Sequence, residues 1–323
     1  MIVNAYAKIN LTLDVVGVFE NGYHDLRMVM QSVDLFDVVH IEKREDSLIT
    51  LKTDNDLLNE LPVEQNLAYK ACKSLMEKYE INHGFDIFIE KNIPEAAGLA
   101  GGSSDCAAVL RGVNALCNLK LSVNELCEVG VKLGADVPYC IAGKTKLCEG
   151  IGEKMTELRS FKGCPVLLVK PSISVKTGGI YGRYDALDPS IIEHPDTEAM
   201  LAVLEIPEDS ENSKEISEDS KKELKDLRED ICDESCDASC DTSLINKVSA
   251  QLKNVLEHVT IPDNPVVDVI KNDLKNMGAA GVLMSGSGPT VFALFESDEK
   301  AQDAYKKCQE KYKEDFVFLG HTI

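Results

Sequence analysis

A chain of 323 residues with 44% hydrophobic side chains is too long for one small domain and apolar enough to build real cores, so two packed domains are expected. Its net charge of −21 argues against a nucleic-acid binder, which needs a surplus of Lys and Arg against phosphate, and disfavours docking on anionic membranes. A small metabolite that brings its own metal ion remains compatible with such a surface.

The first element is read from MIVNAYAKINLTLDVV, where Val3, Ala5, Ala7, Ile9, Leu11, Leu13 and Val15 occupy every second position. That spacing predicts a long strand with one buried face and sets Tyr6, Lys8, Asn10 and Thr12 on the other. The segment lacks the basic start and continuous apolar block of a signal peptide, and no stretch approaches the ~20 apolar residues that span a bilayer. Asn21-Gly22 is a hairpin turn signal, followed directly by Tyr23 and His24. Strands are expected at MVMQSVDLFDVVHIE, LITLKT and FDIFIEK, with a helix over NLAYKACKSLMEKYE between the last two.

Next comes PEAAGLAGGSSDCAAVL: a glycine-rich turn leading into a helix of small residues. A second helix follows at SVNELCEVGVKLG, with Ser122 and Glu125 spaced as a capping box and Gly134 as its stop. A strand is expected at 165–169, helices at 244–258 and 264–277, strands at 279–284 and 290–295, and a last helix from 298. This divides the chain into domains at 1–160 and 161–323. Eleven cysteines, an odd number scattered through helical or apolar contexts, suit reduced thiols in a cytoplasm.

Residues 205–241 hold 15 acidic and 5 basic residues, about half of the net charge, and few aromatics. This composition predicts a solvated insertion. Cys232, Cys236 and Cys240 are four apart, but no histidine or fourth cysteine stands nearby at a zinc spacing, so no metal site is assigned.

Strand, glycine-rich loop and helix in that order form a setting in which backbone N–H groups and the helix start can face an anion. The same residues equally suit a turn that lets a helix pack close to a sheet. Two familiar phosphate loops are excluded. The only Gly-Lys-Thr, at 143–145, has Pro138 where the first glycine belongs, and no G-x-G-x-x-G opens a helix.

Pro94 through Gly98-Leu99-Ala100-Gly101-Gly102-Ser103-Ser104 resembles the central ATP-phosphate motif of the GHMP kinases, the family of galactokinase, homoserine kinase and mevalonate kinase. The N-terminal AKINLTL and the distal GAAGVLMSGSGPTVFALF are similar to that family's two other signatures. The resemblance implies a two-domain α+β fold: an N-terminal ATP-binding, catalytic domain, a C-terminal α+β domain, and the active site between them. Within the family, AYAKINLTLDVVGVFENGYHDLRMVMQSVDLFD and LGADVPYCIAGKTKLCEGIGE look like members acting on a cytidine diphosphate-linked methylerythritol. Their reaction, on the non-mevalonate isoprenoid route, phosphorylates its 2-hydroxyl.

That resemblance assigns Asp136 as the base and Lys8 as its partner, and residues Pro94, Glu95, Ala96, Ala97, Gly98, Leu99, Ala100, Gly101, Gly102, Ser103 and Ser104 to ATP. Asn10, Tyr23, His24, Thr177, Tyr181, Gly286, Ser287 and Gly288 fall to the acceptor substrate: Tyr23 and Tyr181 stack on the base and His24 bonds its edge. ATP is the co-substrate and Mg²⁺ arrives with it, with no dedicated carboxylate cluster to hold the ion. A monomer or weak homodimer is expected. Ala100 stands where glycine is usual in the family, and an alanine is expected to avoid positive φ. Other readings stay open: a mevalonate- or homoserine-type kinase, or an idle nucleotide-binding regulatory member.

Overall fold

The structure, a computed structural model, describes residues 1–175, 177–205 and 241–323. The acidic stretch and its three cysteines, apart from residues 205 and 241, lie outside the described residues. Two sheets carry the fold. In the first, β1 (Ile2–Val18) and β2 (His24–Lys43) pair antiparallel along almost their whole length. One end of β2 then pairs with β4 (Phe85–Glu90), which carries the parallel β3 (Ile49–Thr53); the other end pairs with β5 (Thr145–Gly150), followed by β6 (Lys154–Glu157). A short β8 (Lys253–Asn254), from the distal half of the chain, runs parallel to β1. The second sheet has the order β11 (Phe316–His321), β7 (Pro165–Lys170), β10 (Val291–Leu294), β9 (Gly281–Met284), all antiparallel.

Helices complete an α+β architecture. A short α1 (Asp56–Asn59) precedes α2 (Leu67–Lys78), α3 (Gly101–Leu116), α4 (Val123–Gly130) and α5 (Val137–Ala142). Side chains of α2 to α5 form one core with Ala5, Val39, Ile41 and Ile89 of the first sheet. Further on come α6 (Thr177–Tyr184), α7 (Thr197–Val203), α8 (Thr242–Ala250), α9 (Glu257–Asp263), α10 (Val266–Asn276) and α11 (Asp298–Lys311). β7 alternates between two further cores. Val166 and Leu168 face β1 and β2 with α7 and α8, whereas Leu167 and Val169 pack with α10 and α11. Among the described residues no helix is long and apolar enough to cross a membrane, and the eight described cysteines are free thiols.

β1 departs from the expectation of a single buried face. Its pairing with β2 shifts register between Tyr6 and Lys8 and again between Asn10 and Thr12. Each bulge moves the following side chains to the opposite face of the sheet. Ala5 therefore packs under α3, Ala7, Ile9 and Leu11 join the second sheet, and Leu13 and Val15 enter the third core. The polar side is also covered: Lys8, Asn10, Thr12 and Asp14 are all buried, because both halves of the molecule close over this strand.

Other elements match or shift for local reasons. The capping box forms in full: Ser122 accepts from the Glu125 amide and the Glu125 carboxylate accepts from the Ser122 amide. Its helix stops at Gly130, four residues short of the expected glycine. The expected helix at 244–258 divides into α8 and α9, because Lys253 and Asn254 pair with β1 and the Val255 amide donates to the Leu13 carbonyl at 3.0 Å. Pairing to a strand from the first half outweighs local helical spacing.

The edge strand β11 is tied to the first sheet by His321. Its Nε2 lies 2.7 Å from Asp298 and its Nδ1 3.6 Å from Asp34 on β2. The nearby Asp34 carboxylate, then that of Asp298, raises the imidazole pKa to about 9 against the opposing effect of burial. A raised folded-state pKa stabilises most below the unfolded value and loses its contribution as pH rises through the folded one. Thermal melts across pH 6 to 10 should therefore show a stability component lost between about pH 6.5 and 9. His321→Gln should flatten that window, and an identical pH curve in the variant would contradict the assignment.

Candidate active site

One cavity of about 270 Å³ lies where the two sheets meet. Residues 94–98 and 100–103 form one wall, Gly286 and Ser287 a second, and Lys8, Asn10 and Asp136 stand between them. The glycine-rich loop reaches this position because Lys8, at the first bulge, donates its backbone N–H to the Leu99 carbonyl at 3.2 Å. Along the loop φ is positive at Ala96 (48°), Gly98 (75°) and Ala100 (62°), and not at Ala97 or Leu99. Positive φ at every second residue gives the loop a repeating curl, and α3 begins immediately after it.

Ala100 thus adopts the left-handed conformation an alanine was expected to avoid. It is the N-cap of α3 and has no side-chain capping bond. The neighbouring glycines do not absorb the turn, because Gly98 has its own constraint. A β-carbon at Gly98 would run into the Ser285 carbonyl oxygen, and the Ser285 hydroxyl donates to the Gly98 carbonyl at 2.9 Å. The two glycine turns, one from each sheet, are thereby clasped together.

Lys8 is 4% exposed, and its ammonium donates to Asn10 Oδ1 at 2.7 Å. It forms no ion pair with Asp136 within 4 Å, although both side chains line the cavity. Asp136 opens α5 without capping it, so its carboxylate is not engaged by its own helix. Its charge acts on its surroundings. Burial pushes the Cys140 and Cys148 thiols up to about 12, with the Asp136 carboxylate adding to both. The Tyr181 phenol is likewise raised, first by burial and then by Asp136.

Several assigned residues stand elsewhere than expected. Ser104 is buried; its hydroxyl donates to the Tyr6 carbonyl at 2.6 Å and its amide to Ala100 at 2.9 Å, so neither donor faces the cavity. The Leu99 side chain is in the core. Asn10 is fully buried yet lines the cavity, with its oxygen accepting from Lys8 and its amide toward Met28 sulfur, so it also orients Lys8. Gly288 closes the second turn by donating to the Ser285 carbonyl at 2.9 Å and is not on the cavity wall. Tyr181 lines the cavity, but His24 stacks on it with centroids 4.7 Å apart and lies 2.9 Å from Asp185. Tyr23 is 58% exposed beyond the wall. The Thr177 side chain is outside the described residues.

Sequence reasoning missed the apolar wall, Leu13, Leu26, Met28 and Leu67, which periodicity alone assigns to core. It also missed a buried charge cluster beneath the loop. Lys91 Nζ donates to Asp37 at 2.5 Å and Asp105 at 2.6 Å, and would lie 3.7 Å from a β-carbon on Gly101. Burial works to lower the Lys91 pKa, and the two carboxylates more than reverse it. Asp37 also accepts the amides of Asn92 and Ile93, whereas Asp105 has only Lys91 and one oxygen without a partner. Burial accordingly pushes Asp105 above the usual carboxylate range.

Comparison with known proteins agrees along the whole chain. Residues 66–144 match the GHMP kinases N terminal domain and residues 241–314 the GHMP kinases C terminal domain. A curated protein of Clostridium beijerinckii, 4-diphosphocytidyl-2-C-methyl-D-erythritol kinase, is 42% identical with 100% of both chains covered. The protein of that name from Clostridium perfringens is 40% identical, covering 100% of this chain and 98% of its own. A crystal structure of 4-(cytidine 5'-diphospho)-2C-methyl-D-erythritol kinase superposes with a TM-score of 0.72 at 27% identity, covering 100% of this chain and 99% of that one. Methanococcus jannaschii mevalonate kinase, at 15% identity and a TM-score of 0.65 with 100% and 98% covered, shares the fold.

Two stability outcomes follow from the loop. Ala100→Gly should raise the unfolding free energy by about 1 kcal/mol by relieving the left-handed alanine; a loss in urea titration would contradict that conformation. Lys91→Met should cost about 3–5 kcal/mol, because it strands buried carboxylates. Unchanged stability would mean the cluster bears no load.

Proposed function

The chain belongs to the 4-diphosphocytidyl-2-C-methyl-D-erythritol kinase family within the GHMP kinases, and from that premise we propose that it moves the γ-phosphoryl group of ATP to the 2-hydroxyl of 4-diphosphocytidyl-2-C-methyl-D-erythritol. The observation that carries this reading is the convergence of Lys8, Asp136 and both glycine turns on one cavity. Phosphoryl transfer needs positioning and charge neutralisation more than covalent help. The alternating loop and the start of α3 supply N–H donors for the phosphate chain. Lys8, oriented by Asn10, supplies the fixed positive charge.

Asp136 is the base in this reading. As the hydroxyl oxygen bonds to the γ-phosphorus, the bond from phosphorus to the β–γ bridging oxygen breaks, ADP leaves, and the hydroxyl proton passes to Asp136. The lack of a direct Lys8–Asp136 contact suits a division of labour: the ammonium serves the phosphoryl oxygens and the carboxylate serves the acceptor. Mg²⁺ carried on ATP would offset phosphate charge. Glu95 and the Ser103 hydroxyl are hard oxygen donors on the wall that fit an ion keeping most of its waters.

For the cytidine end, the exposed Tyr23 ring offers a stacking face. The 4.7 Å spacing of His24 and Tyr181 leaves no room for a base between them, so a base stacks on the face of Tyr181 away from His24 unless His24 moves. This movement would also break the contact with Asp185.

A coupled ATP-consumption assay with the cytidylylated methylerythritol, mevalonate and homoserine tests the reading; turnover should be confined to the first, and a preference for either other acceptor would overturn it. Asp136→Asn should lower kcat by about 10²–10⁴-fold while ATP still binds. Full activity in that variant would remove the proposed base. Tyr23→Ala should raise the acceptor KM by about 10-fold or more with little change for ATP, from the stacking energy of one base. Equal losses for both substrates would contradict the stacking role.

A further inference from the structure

The second glycine turn is held from behind by polar side chains that are not part of the cavity wall. Asn254 is 2% exposed and donates its amide to two carbonyls, Met284 at 2.9 Å and Gly286 at 2.7 Å, while its Oδ1 accepts from the Leu256 amide at 2.9 Å. Thr260 donates to the Ser287 carbonyl at 3.1 Å. Glu257 accepts the Met284 amide at 3.0 Å and is itself clamped by Lys271, with Nζ 2.6 Å from each carboxylate oxygen. Asn254 owes its place to the pairing of β8 with β1, the strand that carries Lys8.

The geometry around Lys8 gives these bonds a purpose. A β-carbon on Gly286 would lie 3.3 Å from Lys8 Nζ and 3.1 Å from the Gly98 carbonyl oxygen. The second turn therefore runs close to the Lys8 ammonium, and three backbone carbonyls of the two glycine turns are each bound to a protein donor. Gly98 accepts from the Ser285 hydroxyl, Leu99 from the Lys8 amide, and Gly286 from Asn254. A carbonyl released from its donor could swing its negative end toward the ammonium and toward the incoming phosphate oxygens. Such a dipole would oppose the charge that develops on the transferring group, where fixed dipoles act most strongly.

We propose that Asn254 is a positioning residue for phosphoryl transfer: its amide holds the Met284 and Gly286 carbonyl oxygens away from the cavity, leaving the Lys8 ammonium to the phosphoryl group. The inference rests on the kinase reading above and adds a residue to it. Asn254→Asp is the isosteric test, since it replaces two N–H donors by a carboxylate oxygen facing two carbonyl oxygens. It should lower kcat by about 100-fold, the scale seen on losing one preorganised donor, with KM for ATP within about threefold.

The decisive readout is binding of ADP with and without aluminium fluoride, a planar stand-in for the transferring phosphoryl group, in the presence of the acceptor. Wild-type protein should bind ADP more tightly with the fluoride. Asn254→Asp should keep its ADP affinity and lose that gain. An unchanged kcat, or equal weakening with and without fluoride, would overturn the proposal, the latter because it marks general loosening. Should the aspartate variant fail to fold, Asn254→Ser, with one donor for two carbonyls, carries the same readouts with an expected kcat loss of about 10-fold. Wild-type turnover in the same assay separates the two levels: an inactive wild type overturns the kinase reading and this inference with it, whereas an active wild type beside an unaffected variant overturns the role of Asn254 alone.

Discussion

The hydrogen bond from the Ser285 hydroxyl to the Gly98 carbonyl joins the two halves of the molecule at the point where its chemistry is assigned. Gly98 belongs to the loop leading into α3, and Ser285 to the turn between β9 and β10 of the other sheet. The absence of a side chain at Gly98 allows the backbones to approach, since any β-carbon there would meet the Ser285 carbonyl. The two glycine turns that face the cavity are positioned against each other by this contact. The loop curls around it, the second turn is set by it, and Lys8 lies beside both. Bulges in β1 complete the arrangement by bringing Lys8, Asn10 and Leu13 to one wall from a strand whose simple alternation would have separated them.

An acidic protein that binds a polyanion has to solve a local electrostatic problem. The net charge of −21 is a property of the whole surface, about half of it carried by one stretch of 37 residues. Exposed charges more than a Debye length of about 10 Å away from the cavity are largely screened, so the field there is set by groups that line or underlie it. Those are Lys8, the start of α3 with the N–H groups of its loop, and, just beneath, Lys91 between two buried aspartates. The unequal solvation of Asp37 and Asp105 limits the negative charge placed under the loop. Three donors serve the first and one the second.

Much of this was legible in the sequence, for identifiable reasons. Glycine spacing, a strand before the loop and a helix after it are local features, and they located the loop that forms one wall of the cavity. Tertiary consequences were not legible. Alternation along β1 gives no sign of bulges, because a bulge is a property of the pair of strands. The helical spacing across 244–258 hid β8, whose pairing partner lies some 240 residues earlier in the chain. Ala100 was expected to avoid the left-handed region on intrinsic preference, yet the loop around it imposes that conformation. Ser104 looked available as a polar residue in a functional motif, and only packing reveals that its donors are engaged within the protein. Lys91, Asp37 and Asp105 are far apart in sequence and carry no motif that would join them.

The central claim is that one cavity holds nucleotide phosphates, Lys8 and Asp136 together, so that the phosphoryl group passes directly to the acceptor with Asp136 as a base. The measurement that tests this most directly is the stereochemical course at phosphorus, using ATP made chiral at its γ-position with oxygen isotopes and sulfur. A single in-line transfer predicts inversion of configuration in the phosphorylated product. Retention would require two successive displacements through a phosphorylated protein side chain, and would contradict the account.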